Sequence, residues 1–186
     1  KPTSVGSNEA GEVFRRELVN KIIAIGRPKA RGSDRKKVPI HPSSGPIRLR
    51  PASSTMPQIL AIGSSTGGPQ ALGEVIKAIA PGLNVPVIVT QHMPPTFTAI
   101  LAETLARTSG LKCVEGQSGM MIEPGHIYIA PGDYHMLIKG RGGPIELTQT
   151  APENFCRPAV DPMFRSLSAA YGPTVLTVIL TGMGSD

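Results

Sequence analysis

The stretch that decides the fold runs from Ile59 to His92: ILAIGSSTGGPQALGEVIKAIAPGLNVPVIVTQH. Its first part, Gln58–Gly63, is a short apolar run closed by glycine, the pattern of a strand buried on both faces. Pro69–Ala80 then has helical spacing, with proline at the start, where a missing N–H costs least. Pro86–Gln91 is a second run, rich in β-branched residues. Strand, helix and strand in this order predict a parallel βαβ unit.

Downstream the same grammar continues. Pro95–Thr108 reads as a second helix, Ala159–Tyr171 as a third and Pro173–Thr181 as a long apolar strand. Between them lie short runs at Lys112–Val114, Ile127–Ala130, Met136–Lys139 and Ile145–Thr148, parted by Gly- and Pro-containing turns. The expected fold is α/β: a mainly parallel, doubly wound, Rossmann-like sheet with helices on both faces. The short middle runs are expected to form an inserted antiparallel hairpin region. The sequence stops at Asp186, directly after a strand and before any crossover helix, so the domain is expected to be C-terminally truncated.

Upstream the pattern breaks. Residues 26–57 are rich in Gly, Pro, Ser, Arg and Lys and lack periodicity, which predicts a linker. His41 falls there and reads as a solvated linker residue. Residues 8–25 place Val13, Phe14, Leu18, Ile22 and Ile25 at helical spacing, an amphipathic helix too short to be a domain. It is either a frayed extension or the last helix of a domain lying upstream. The expected division is therefore 1–25, 26–57 and 58–186.

The formal net charge of +6 invites a nucleic-acid reading, but the charge is unevenly placed. Residues 1–57 carry a net +8 and residues 58–186 a net −2. Phe and Tyr together number seven and Trp is absent, too few for an interleaved aromatic surface. No nucleic-acid partner is expected. The longest apolar runs are far below the roughly 18 residues of a membrane span, so no membrane insertion is expected. Cys113 and Cys156 make neither a disulfide framework nor a metal spacing and read as reduced thiols.

In open α/β sheets, sites form beyond the carboxyl ends of the strands. Three such ends stand out. Gly63–Gly68 contains G-x-S-x-G centred on Ser65, a sharp strand-to-helix turn that presents a hydroxyl at a helix N-terminus. The same turn also suits a nucleotide phosphate, or a structural cap. His92 ends the second run, and adjacent strand ends bring a base within reach of a serine. The Thr181–Asp186 loop offers Asp186 as the acid that orients such a base, or as a helix cap. His126 and His135, in the turn-rich middle, are weaker candidates. The chain order Ser65, His92, Asp186 differs from the α/β-hydrolases, where the acid precedes the histidine.

ILAIGSSTGGPQAL (59–72), VPVIVTQHMPPTFT (85–98), GHIYIAPGDYHM (125–136), RPAVDPMFRSLS (157–168) and VILTGMGSD (178–186) together resemble the CheB chemotaxis methylesterases. The resemblance implies a serine esterase with Ser65, His92 and Asp186 as its triad and no metal or organic cofactor. It implies oxyanion-hole donors at Thr66 and Met183; the turn geometry by itself supports only Thr66. Ser64 stands where the family usually has alanine, a small-for-small change expected to matter little. The implied reaction is hydrolysis of glutamate γ-methyl esters on cytoplasmic chemoreceptor helices, with deamidation of certain glutamines. The implied remainder is a receiver domain ending near residue 25, which would meet a histidine kinase and whose phosphoacceptor is not in this chain.

Overall fold

The computed structural model describes residues 54–183. The helix read over 8–25, nearly all of the linker and Asp186 lie outside them. The elements are β1 (Ile59–Ser64), α1 (Gly68–Ile79), β2 (Val87–Gln91), α2 (Phe97–Ser109), β3 (Lys112–Glu115), β4 (His126–Ile129), β5 (His135–Ile138), β6 (Ile145–Thr148), α3 (Val160–Tyr171) and β7 (Val175–Ile179). Five strands form one sheet in the order β3-β4-β2-β1-β7, and every pairing in it is parallel. β5 and β6 form a separate antiparallel pair, with Met136 opposite Leu147. The α/β expectation holds with one correction. Of the four short middle runs only two make the antiparallel hairpin; the other two, β3 and β4, extend the parallel sheet. Their brevity hid this, because a four-residue apolar run looks alike in either setting.

Every residue of β1 and β2 is buried, so both faces of the sheet must be covered. Alternation divides them. Leu60 and Ile62 face one way and pack with Leu72 and Ile76 of α1 and Leu101 and Leu105 of α2. Ile59 and Ala61 face the other way and pack with Met163 and Leu167 of α3 and with Met136 and Ile145 of the hairpin. Each fully buried Leu, Ile or Met side chain contributes about 1.5–3 kcal/mol, which makes β1, sandwiched by both clusters, the central support of the domain. Proline in the first turn of α1 and Gly110 in the left-handed conformation after α2 set where those helices begin and end. α2 starts at Phe97 rather than Pro95 because Thr96, with φ of 77°, is not helical. Among the described residues no helix is long and apolar enough to cross a membrane.

Cys113 on β3 is buried in the α1–α2 cluster, and burial pushes its thiol from the ordinary 9.0 up to about 12. Iodoacetamide at mildly alkaline pH should therefore alkylate half-buried Cys156 in the native chain and reach Cys113 only on unfolding, as peptide mass spectrometry would report. Equal native labelling of both would contradict this. The native thiol holds its proton more tightly than the unfolded one. Its contribution to stability is thus present below pH 9.0 and lost as pH climbs towards about 12.

Candidate active site

β2, β1 and β7 lie side by side, and their ladders continue beyond the last paired residues. The His92 N–H donates to the Ser64 carbonyl at 3.0 Å, and the Ser65 N–H donates to the Thr181 carbonyl at 2.9 Å. Ser65 is thereby held between His92 on one side and the Thr181–Gly182 segment on the other. The strand order reverses direction at β1, since the connection from β1 leads to β2 while β7 adds on the opposite edge. That is the position where open sheets form their crevice. Ser65, His92, Thr181 and Gly182 line one open cleft of about 70 Å³, with Val160 and Ile179 as its apolar wall.

The turn after β1 leads straight into α1, whose first turn carries no acidic side chain. The positive end of the helix therefore faces the Ser65 region without local neutralisation. Two N–H groups of the turn are already engaged, Ser65 to Thr181 and Gly68 to the Ser65 carbonyl at 2.8 Å. A phosphate cradle needs such groups for its ligand, so the phosphate reading loses donors here.

Gln91 ties the two catalytic candidates together. Its Nε2 donates to the Ser65 carbonyl at 2.8 Å and to the His92 carbonyl at 3.2 Å. Its Oε1 accepts from the Ser64 hydroxyl at 2.6 Å. Gln91 is 2% exposed and Ser64 4%, so these bonds are shielded from water. A Cβ at Gly68 would lie 1.9 Å from Gln91 Oε1, so only glycine leaves room for this clamp. Ser64 is thus more than a neutral stand-in for alanine: its hydroxyl satisfies an oxygen that burial would otherwise leave short of a donor.

His92 is half-buried, and its Nδ1 lies 3.6 Å from Cys156 Sγ. Gly182 closes the other flank, where an added Cβ would sit 2.5 Å from Ser65 Cβ. Thr66 follows Ser65 in the turn and Met183 follows Gly182, which closely approaches Ser65, so both oxyanion candidates adjoin the Ser65 turn. Asp186 lies outside the described residues.

The other two histidines among the described residues, His135 and His126, make structural hydrogen bonds, and His41 lies outside the described residues. His135 accepts the Ala159 N–H at Nδ1 (3.2 Å) and donates from Nε2 to the Ala151 carbonyl (3.1 Å), fixing a neutral tautomer that anchors the start of α3. His126 sits at the start of β4, with Nδ1 2.9 Å from the Pro124 carbonyl and Nε2 3.4 Å from Glu123. Gln91 and Cys156 were missed by sequence reasoning. Gln91 had one signal, its place between a strand and a candidate base; Cys156 had none, being 64 residues from His92.

Comparison with known proteins places the chain in a family and agrees with its fold. The CheB methylesterase family model matches residues 60–186. The chain is 48% identical over 208 residues to the protein-glutamate methylesterase/protein-glutamine glutaminase 1 of Paramagnetospirillum magneticum, covering 100% of this chain and 54% of that protein. It is 46% identical over 206 residues to the corresponding protein of Azospirillum brasilense, covering 100% and 52%. The chain thus spans about half the length of the curated relatives it matches. The crystal structure of the Thermotoga maritima CheB methylesterase catalytic domain superposes with a TM-score of 0.67 at 41% identity, covering 71% of each chain.

Proposed function

Because the chain belongs to the CheB methylesterase family, we propose that it hydrolyses glutamate γ-methyl esters on chemoreceptors, with Ser65 as nucleophile and His92 as base. The observation that supports this most directly is the shared cleft: Ser65 and His92 occupy neighbouring strand ends and line one cavity at the sheet's switch point. In the reaction, Ser65 Oγ attacks the ester carbonyl while His92 takes its proton. Backbone N–H groups of Thr66 and Met183 stabilise the oxyanion. The tetrahedral intermediate collapses, and methanol leaves with the proton that His92 returns. Water then attacks the acyl-serine by the same route, releasing the receptor glutamate and restoring Ser65. Asp186 holds the His92 ring in the correct tautomer and stabilises the imidazolium. A glutamine amide is cleaved by the same sequence, with ammonia leaving, which makes the enzyme a deamidase as well.

In this reading residues 58–186 belong to the catalytic domain, 26–57 to the linker and 1–25 to the last helix of a receiver domain. The receiver would meet a histidine kinase, and the enzyme would act in the cytoplasm, on the receptors' cytoplasmic helices. The test is labelling of the full-length protein with a serine-directed phosphonate, followed by peptide mass spectrometry. The adduct is expected on Ser65. An adduct on any other residue removes the proposed mechanism.

A further inference from the structure

Residues Glu153–Cys156 make a tight two-residue turn closed by two reciprocal bonds. The Glu153 N–H donates to the Cys156 carbonyl at 3.1 Å, and the Cys156 N–H to the Glu153 carbonyl at 2.8 Å. Both central residues are left-handed, Asn154 with φ of 47° and Phe155 with φ of 65°. Asparagine tolerates that conformation; the second position of such a turn normally falls to glycine, and a bulky aromatic there is strained. No burial offsets the strain, because Phe155 is fully exposed at 103%. The turn is nevertheless braced on both sides. Arg165 pairs with Glu153 at 2.5 Å, and the Arg157 guanidinium donates to the Gln149 and Thr150 carbonyls and pairs with Asp133. The next residue, Cys156, touches His92. The fold therefore holds a strained, exposed aromatic ring one residue from a contact of the catalytic base.

We propose that Phe155 is a substrate-recognition residue that packs against the receptor helix carrying the methylated glutamate. This rests on the esterase reading above. A cleft of about 70 Å³ admits a side-chain ester but not a helix, so the helix must lie across the rim. On a helix, the side chains three and four positions from the glutamate share its face and meet whatever stands at that rim. An exposed aromatic ring offers them apolar contact area, and aromatic side chains are enriched among residues that dominate such interfaces. The strain at Phe155 is then a cost of function rather than an accident of folding.

The test is Phe155→Gly in the full-length enzyme, assayed on a methylated receptor cytoplasmic fragment and on a blocked glutamate γ-methyl ester. Glycine suits the left-handed position, so the melting temperature should be no lower than that of the parent. The ratio of kcat/KM on the receptor fragment to that on the small ester should fall about 10-fold or more, with Phe155→Leu recovering part of it. An unchanged ratio, with both substrates losing equally or not at all, would overturn the proposal while leaving the esterase reading in place. Absence of hydrolysis of either ester by the parent enzyme would remove the esterase reading itself, and this inference with it.

Discussion

Ser65→Ala is expected to abolish methanol release from methylated receptor while leaving the fold intact. The fold survives because the bonds that fix this position are backbone bonds. The Ser65 N–H goes to Thr181, and the Ser65 carbonyl accepts from Gly68 and from Gln91. Alanine keeps all three and removes only the hydroxyl. Loss of a serine nucleophile costs about 10⁴- to 10⁶-fold in kcat in triad enzymes. His92→Ala should be comparably severe, and the double variant no worse than either single one, because base and nucleophile act as one unit. Methanol release near the parental rate from Ser65→Ala, with an unchanged melting temperature, would rule out the nucleophile assignment.

Gly182→Ala should be the next most damaging change, although it removes no functional group. The new Cβ would lie 2.5 Å from Ser65 Cβ and 3.2 Å from both Ser65 Cα and Ser65 N. Those atoms cannot yield by rotation about a side-chain bond. The backbone of Ser65 or of the β7 end must move, and the Thr181–Ser65 hydrogen bond couples the two. A displacement of about 1 Å at a reacting atom costs on the order of 100-fold in rate. The stability cost of such overpacking is about 1–3 kcal/mol. The loss should fall on kcat and appear equally on receptor and small-ester substrates, because the nucleophile itself is displaced. Full activity in Gly182→Ala would mean that the close approach of β7 to the serine turn has no bearing on catalysis.

Much of the fold was legible because two of the strands at the site, β1 and β2, are buried on both faces. A run such as Val87–Gln91 has no solvent side, so its apolar character is continuous and unmistakable. The candidate serine and histidine, Ser65 and His92, stood out for a related reason, since they directly follow such runs. Reading failed where elements are short. β3 and β4 differ from β5 and β6 only in which strand they meet, and that depends on residues far away in the chain. Phe155 was passed over because its sequence neighbourhood gives no hint that its turn lies beside His92.

By itself, the sequence determined the α/β class, the order of its elements and the placing of Ser65 and His92 at strand ends. Hydrophobic periodicity and glycine-bounded turns are local properties, written within ten or twenty residues. Only the tertiary structure decided that β7 lies against β1 on the side away from β2, which sets Gly182 against Ser65. It also decided that Gln91 joins the Ser65 and His92 carbonyls through one amide, that the Ser64 hydroxyl completes that clamp, and that exposed Phe155 sits one residue from the Cys156–His92 contact. The physical reason is common to all of these. Each is a contact between segments distant in sequence, chosen by burial and hydrogen-bond satisfaction across the whole domain, which no local pattern encodes.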